Sequence, residues 1–564
     1  MLARAAALEA VSAERFDVVV IGGGVTGAGV ALDAASRGYT VALVERDDYA
    51  VGTSSRSSKM VHGGLRYLQS FDLGLVREAL LERQLMVQLA PHLVYPTPFI
   101  VPTLGEERRS RMLGIGLNMY DVMATTRVGQ ARRERAARQQ AGDYWAPDRH
   151  RAIGPEEVVD LIPALAGREP VGGYLFYDCQ TDDSRLVLTI LGEAERFGAV
   201  CVNRAEVIGL REEGGRAAGV RCRDAESGEE LEVRAENVVN ATGVWADRIR
   251  PEEVVDEEDV PRIVPSRGTH ITVASEDLPL GAACIVPAGE DRTVFALPWY
   301  GRVLIGTTDN DYDGALERVE APLEDVEYLL DAVNGLFGTG LGPGEVTGAY
   351  AGVRPLIASG DPRKSVDISR RAELYETSSG MLTITGGKLT TWRRMAQQVV
   401  DRMVERDLRE APCRTDDLPL GMPAAVGDLE PPDGLAEADL PDGYRELLAF
   451  RYGHAARTVL RLAAEHPGLA APIVAGQPDL LAEAALAARL EQARSVADVL
   501  LRRTRLGLVA APMLRTAESV LPVARALGAE LGWDQARVRA EAEAWPRTAE
   551  AEGIDPAKAL TSGA

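Results

Sequence analysis

Hydrophobic positions first run together at residues 16–21, FDVVVI, and stop at a cluster of glycines. A short β-branched run without polar alternation is the pattern of a strand buried on both faces of a parallel sheet. GAGVALDAASRG then spaces small and apolar residues at helical intervals and ends at Gly38, a helix with a glycine stop. TVALVER reads as a second buried strand, so the fold opens with a β-α-β unit. Farther along, strand patterns appear in AVCVNRAEVIGLR, ELEVRAENVVNATG, HITVA, TVFALPW, RVLIGTTD and MLTITGG. Helical spacing appears near 74–90, 184–197, 322–337 and 391–406. The abundance of strands after the first unit predicts a second, mostly antiparallel sheet that covers the ligand of the first.

Residues 411–443 are rich in Pro, Gly and Asp and read as a linker. Residues 444–545 are rich in Ala, Leu, Arg and Glu at helical spacing and predict a small all-helical C-terminal domain. Within it, SVADVLLRRTRLGL offers Ser495 as an N-cap with Asp498 three residues on. Val496, Val499 and Leu500 share one face, and Arg502 and Arg503 lie near the end, where the helix dipole favours cations. We read this as a structural helix, with a docking surface for a partner or dimer mate as the alternative. The Arg-rich stretch 127–140 reads as a solvated helix or loop.

The chain has 564 residues, too many for one compact core. At 46% hydrophobic and 26% charged, it has the balance of an ordinary globular protein. A formal net charge of −23 repels phosphate backbones, so nucleic acid is excluded as a partner, although a local basic or apolar patch could still touch a membrane. Cys179, Cys201, Cys222, Cys284 and Cys413 are scattered, with no metal-ligand or redox spacing, and read as reduced thiols of a cytosolic protein. No metal site is expected. The first residues, interrupted by Glu9 and Glu14, lack the apolar run of a secretory signal. No stretch is apolar enough to span a bilayer, so any membrane contact is expected to be peripheral, on the cytoplasmic face.

GGGVTG places Gly22, Gly24 and Gly27 in G-x-G-x-x-G between the first strand and helix. The first glycine permits the tight turn, the second lets a pyrophosphate approach the backbone, and the third lets helix and strand pack closely. Glu45 ends the second strand, where a carboxylate can accept ribose hydroxyls. This unit fits FAD and NAD alike. NATG, ending in Gly243, and TGGKLTTWR, with Gly387, Lys388, Leu389 and Thr390, each follow a strand and suggest backbone closing over one extended cofactor. A separate NAD domain would need a second fingerprint, and FGTGLGPG reads as a loop. GTSSRSSKMVHGGLRYL brings Lys59, His62, Arg66 and Tyr67 close together. Its small hydroxyl residues, Thr53, Ser54 and Ser58 among them, let the chain pass beside a cofactor, and its cations favour an anionic group.

These motifs, with YDVM, LFYDCQTDDSRLVL, VVNATGVWAD, GTHITV, LIGTTDNDYDG, AGVRPLI and LLRRTRLGL, occur in one order over roughly residues 16 to 510. In that order they resemble the FAD-dependent glycerol-3-phosphate dehydrogenases and the related oxidases. The resemblance implies an α/β fold: a Rossmann-like FAD-binding domain, a mostly antiparallel substrate or cap sheet and the C-terminal helical domain. It divides residues 16–410 into FAD-binding parts (about 16–75, 180–250 and 375–410) and cap parts (about 76–179 and 251–374). It implies oxidation of sn-glycerol 3-phosphate to dihydroxyacetone phosphate. That reaction needs a flavin to take hydride, a base for the hydroxyl proton and cations for the phosphate.

For the phosphate, the resemblance points to Arg354 and Arg370, whose planar forks suit phosphate oxygens. Arg66, Tyr67, Lys388 and Thr390 match further positions around substrate and flavin. Of six histidines, only His62 and His270 lie in matching motifs, and this pair holds the expected base, with Lys388 beside it. The acidic insert RPEEVVDEEDVPR and the linker near 420–440 are less typical of the family.

The leading expectation is an enzyme passing electrons to a membrane quinone. An oxidase releasing hydrogen peroxide is the nearest rival. D-amino-acid and sarcosine oxidases share the flavin fingerprint, but they would lack the HGGLRYL and GGKLTTWR pair. A flavin-binding redox sensor is the non-enzyme reading, and the joint presence of His62, His270, Arg354 and Lys388 argues against it. A homodimer is a further expectation.

Overall fold

A computed structural model describes residues 1–65, 72–105, 111–124, 149–249, 263–289, 292–358, 368–369 and 372–552. The expected first strand is Arg15–Ile21, buried from Val18 onward. It pairs in parallel with Val41–Val44 on one side and with Glu230–Asn240 on the other. Leu382–Gly386 and Val200–Val202 extend the parallel sheet outward. Ala372–Glu376 adds an antiparallel edge, and Ala205–Glu213 with Arg216–Asp224 form an antiparallel flap on Glu230–Asn240. The helix Val25–Ser36 is buried along almost its whole length between this sheet and the helices Asp183–Arg196 and Trp392–Arg406. Its all-round apolar composition is what such a sandwiched helix requires.

Among the described residues the second sheet has eleven strands and is antiparallel except where Ala283–Pro287 pairs with Tyr95–Leu104. In it Ile263–Ala274 is paired with Val346–Ala358 and with Arg302–Gly306. Met60–Val61 already belongs to this sheet, pairing with Cys179–Gln180. The crossing between sheets therefore comes near residue 60, ahead of the expected boundary near 75. The helix Leu323–Phe337 covers the outer face with Val326, Leu329, Leu330 and Val333.

The C-terminal region departs from its expected outline. Its helices begin at Tyr444, but the last one, Gln535–Ala551, runs past 545. Segment 411–443 is packed chain and not a free spacer: Leu429, Leu435 and Leu440 are buried in one cluster with Leu448, Leu460 and Leu486. Ser495 caps as expected, its Oγ accepting from Asp498 N–H at 3.1 Å. Arg502 and Arg503, however, are buried, and both pair with Asp48 of the first domain. They stand in the last turn, as expected, and are interface charges as well. Besides that cluster of its own, the C-terminal region shares a second core with the sheet. Phe99, Phe176, Leu297 and Trp299 of the second sheet share one cluster with Val499, Leu500, Val523 and Leu527. The Arg-rich stretch and the acidic insert lie outside the described residues.

Leu500→Ala opens a cavity in that shared cluster and should cost about 2–5 kcal/mol. Because sheet and helices share the cluster, urea unfolding followed by tryptophan fluorescence and by circular dichroism should give one coincident, shifted transition. Two separated transitions would show that the helical region folds on its own.

Candidate active site

The parallel register aligns Ile21 with Val44 and with Asn240, and Asn240 with Thr383. The turns that follow these residues converge on one edge, the place where open parallel sheets bind ligands. Gly22 turns there with φ +108°, a conformation open to glycine, and a Cβ would meet Ala241 O at 2.8 Å. A Cβ on Gly27 would lie 1.9 Å from Gly22 O, so this glycine lets helix and loop close on each other. Gly24 is the N-cap residue of helix Val25–Ser36, whose first N–H, that of Val25, donates to Ser54 Oγ at 2.9 Å. A cavity of about 1210 Å³ runs from this loop, larger than the roughly 300–1,000 Å³ of common ligand clefts. Gly22, Gly24, Glu45, Thr53, Ser54, Ser58, Gly243, Gly387, Leu389 and Thr390 all line it; Gly27 lies behind the wall.

Glu45 is held at the carboxyl end of its strand by two backbone donors, Gly23 N–H at 2.6 Å and Asp47 N–H at 2.8 Å. Burial outweighs them and pushes its carboxyl up to about 7. Arg46 lies over the Trp245 ring at 5.1 Å beside it, and both line the cavity. The glycine cradle, the helix N-terminus and the carboxylate fit the pyrophosphate and ribose of a dinucleotide.

The other end of the cavity gathers the expected catalytic groups. His62 follows the strand Met60–Val61. Its N–H donates to Thr390 Oγ1 at 3.1 Å, and that hydroxyl donates to His62 O at 3.2 Å, tying the GGKLT turn to the histidine. Burial pulls the His62 imidazole down to about 4, with Lys388 and Arg83 adding to the effect and Asp178 opposing it. Asp178 accepts from Arg83 at 2.6 Å and from Tyr120 at 2.7 Å. His270 sits mid-strand, with Nε2 2.8 Å from Ser58 Oγ and its ring stacked on Tyr350 at 4.8 Å and 10°. Burial first, then Lys59 and Arg354, hold it well below the usual histidine range. Its buried Nδ1 meets no hydrogen-bond partner among the described residues. Both imidazoles are therefore neutral near pH 7, the form that accepts a proton.

Arg354 projects from the neighbouring strand into the same cavity. It donates to Thr307 Oγ1 and Thr308 O, each at 3.1 Å, and to Asp309 Oδ1 at 3.2 Å. Lys388 lines the wall near His62. The structure thus brings His62, His270, Arg354 and Lys388 together. Arg66, Tyr67 and Arg370 lie outside the described residues. The sequence reading missed Tyr350, Asp178 and Asp183 behind the histidines, and Asp309 beside Arg354. Asp183 and Asp309 stand within DCQTDDSR and TTDNDYDG, motifs already in hand whose carboxylates were given no role.

Comparison with known proteins gives the family. The model of the family described as FAD dependent oxidoreductase matches residues 17–393. The C-terminal domain of alpha-glycerophosphate oxidase matches residues 382–538. The chain is 38% identical over 563 residues to glycerol-3-phosphate dehydrogenase 2 of Mycobacterium tuberculosis, covering 98% of this chain and 92% of that one. It is 34% identical over 453 residues to the aerobic glycerol-3-phosphate dehydrogenase of Bacillus subtilis, covering 78% of each. The crystal structure of the glycerol-3-phosphate dehydrogenase of Bacillus halodurans complexed with FAD superposes with a TM-score of 0.75 at 27% identity, covering 98% and 97%.

Two outcomes follow from the site. Gly24→Val places a branched side chain in the cradle, and the purified protein should lose its bound dinucleotide and its absorbance; full retention would move the pyrophosphate elsewhere. The second concerns acid stability. The folded chain keeps His62 unprotonated down to about 4, whereas the unfolded chain protonates it near 6.5. Unfolding therefore takes up a proton in that window, and stability falls as pH drops from 6.5 towards 4. Glu45, raised to about 7, works in the opposite sense, gaining stability as pH falls towards 4.5. Urea titrations of wild type and His62→Gln isolate the histidine: the variant should lose less stability between neutral pH and pH 5. Parallel curves would show that His62 is not held neutral.

Proposed function

The chain belongs to the FAD-dependent glycerol-3-phosphate dehydrogenases, and on that premise we propose that it oxidises sn-glycerol 3-phosphate to dihydroxyacetone phosphate with a membrane quinone as electron acceptor. The observation that carries the substrate is Arg354, a guanidinium that opens into the same cavity as two neutral histidines and the dinucleotide cradle. FAD, when bound, supplies the acceptor for the hydride of the carbinol carbon. The chain's own residues do the rest. Arg354 grips the phosphate and fixes the distance from it to the secondary alcohol. The His62–His270 pair takes the hydroxyl proton, and Lys388 places a positive charge where negative charge builds up. Walls of Phe99, Phe176 and Phe295 limit water at the reacting end.

The quinone reading draws on the helix Arg111–Ala124. Ile115, Met119 and Val122 are exposed on it, and Ile115 and Met119 also line the cavity. An apolar face continuous with the site suits a lipid-soluble acceptor and weak, peripheral attachment to a bilayer, released by salt or mild detergent. No helix among the described residues is long and apolar enough to cross a membrane. Oxygen is the competing acceptor.

Arg354→Ala should lower kcat/KM for glycerol 3-phosphate by tens- to thousands-fold, on the order of 2–5 kcal/mol. The poor activity on glycerol itself should barely change. Equal losses on both substrates would give Arg354 a structural or catalytic role instead. The acceptor is tested by comparing turnover with a soluble quinone, with NAD and with oxygen. Quinone should be fastest and NAD inert. Hydrogen peroxide released in step with substrate loss, without faster turnover on quinone, would make the protein an oxidase.

A further inference from the structure

The wall behind His270 continues, contact by contact, into the C-terminal helices. Tyr350, the ring on which His270 stacks, donates its hydroxyl to Ser57 O at 2.7 Å. The next residue, Ser58, holds His270 Nε2 at 2.8 Å. The one after it, Lys59, is fully buried with φ +58°, and its ammonium lies 4.6 Å from the Tyr350 ring centroid. One carboxylate gathers this segment. Asp183 accepts from Ser57 N–H at 3.1 Å, from Ser57 Oγ at 2.7 Å and from Lys59 Nζ at 2.8 Å. Asp183 and its neighbour Asp182 are both buried, and a single guanidinium spans them. Arg505 Nε donates to Asp182 Oδ1 at 3.0 Å, and Arg505 Nη2 to Asp183 Oδ1. Arg505 is itself buried, sits at φ +66° and donates Nη1 to Leu501 O at 2.7 Å.

We propose that Arg505 is a positioning residue for the oxidation: through Asp182 and Asp183 it fixes the Ser57–Lys59 segment and the Tyr350 ring against which His270 is held. Two adjacent buried carboxylates shared by two cations make a stiff arrangement, because neither carboxylate can move without leaving a charge unpaired in a low-dielectric interior. Stiffness at this point matters. A catalytic ring displaced by 1 Å loses on the order of 100-fold in rate. The charged and titratable groups around His270 among the described residues are Lys59, Arg354 and Tyr350. The Arg505 network orders two of the three. The helical region, which touches none of the cavity, would thereby complete the site from behind.

This inference rests on the reading of the site given above, and the experiment separates the two. The readout is anaerobic reduction of bound FAD by sn-glycerol 3-phosphate, followed by stopped-flow across a range of pH. Arg505→Lys keeps the charge but loses the fork that spans both carboxylates. Tyr350→Phe keeps the ring and every ion pair but loses the bond to Ser57 O. With flavin content and substrate Kd at wild-type values, the limiting reduction rate should fall on the order of 10- to 100-fold in Arg505→Lys. The fall in Tyr350→Phe should be smaller. In both, the acid limb of the rate profile should move to higher pH, because a Tyr350 ring no longer fixed against His270 relaxes the burial that chiefly holds its proton affinity down. A purely structural role would lower flavin content or Tm and leave the rate per flavin and its acid limb unmoved; that result, in both variants, overturns the proposal. Should Arg505→Lys fail to fold, Tyr350→Phe decides by the same two readouts. A wild-type flavin that glycerol 3-phosphate does not bleach would sink the substrate assignment, and this inference with it.

Discussion

The register of the parallel sheet is the constraint on which the site depends. Ile21, Val44 and Asn240 end level with one another, and Leu382–Gly386 joins them at Asn240 and Thr383. Chain segments separated by more than 300 residues thus release their glycine turns at one edge. A one-residue slip of any strand would turn its buried side chains to the wrong face and carry its turn out of reach. The second sheet closes the same edge from the other side, because Met60–Val61 crosses directly from the cradle loops into it. His62, two positions from the crossing strand's start, is placed by that step.

The protein buries a great deal of charge to hold this arrangement. Lys59, Asp182, Asp183, Arg502, Arg503 and Arg505 are all sealed from solvent, and Asp48 with them. Such ions are costly to desolvate and contribute little net stability next to apolar residues of the same volume. Their contribution is directional. A hydrophobic contact tolerates sliding; a forked guanidinium on two carboxylates does not. The network joins the strand-bearing half to the helices at the point where the histidine wall needs support, while the shared cluster around Phe99, Trp299 and Leu500 supplies the adhesion.

Much of this was legible in the chain. The β-α-β unit, the helices near 74–90, 184–197, 322–337 and 391–406, and the strands ending in NATG and TGG follow from periodicity, and the structure places them within a residue or two. Tyr95–Leu104 escaped notice because Pro96, Pro98 and Pro102 argue against a strand. They are tolerated there because they alternate, leaving the residues between them to bond the partner strand. The convergence of His62, His270, Arg354 and Lys388 came from ordered motifs and not from spacing, since no local rule links residues this far apart. The Arg505 network was illegible for the same reason. An arginine in a chain with many is ordinarily solvated, and its two carboxylate partners lie 322 and 323 residues away. The helical region read as separate because its linker has the composition of one; its buried leucines are spaced too irregularly to show a period.

The shared cluster also sets an order of events during synthesis. Phe99, Phe176, Leu297 and Trp299 are made well before the helices that cover them, and Leu500 follows Trp299 by about 200 residues. At roughly 5–20 residues per second, the apolar face of the second sheet waits on the order of 10–40 s for its cover while the chain is still on the ribosome. During that interval an extended sheet with uncovered aromatic residues is a target for chaperones and a hazard for neighbouring nascent chains. The last hundred residues therefore act on the first three hundred as a late-arriving lid on their folding, and a truncated chain is left holding the face that the finished protein never displays.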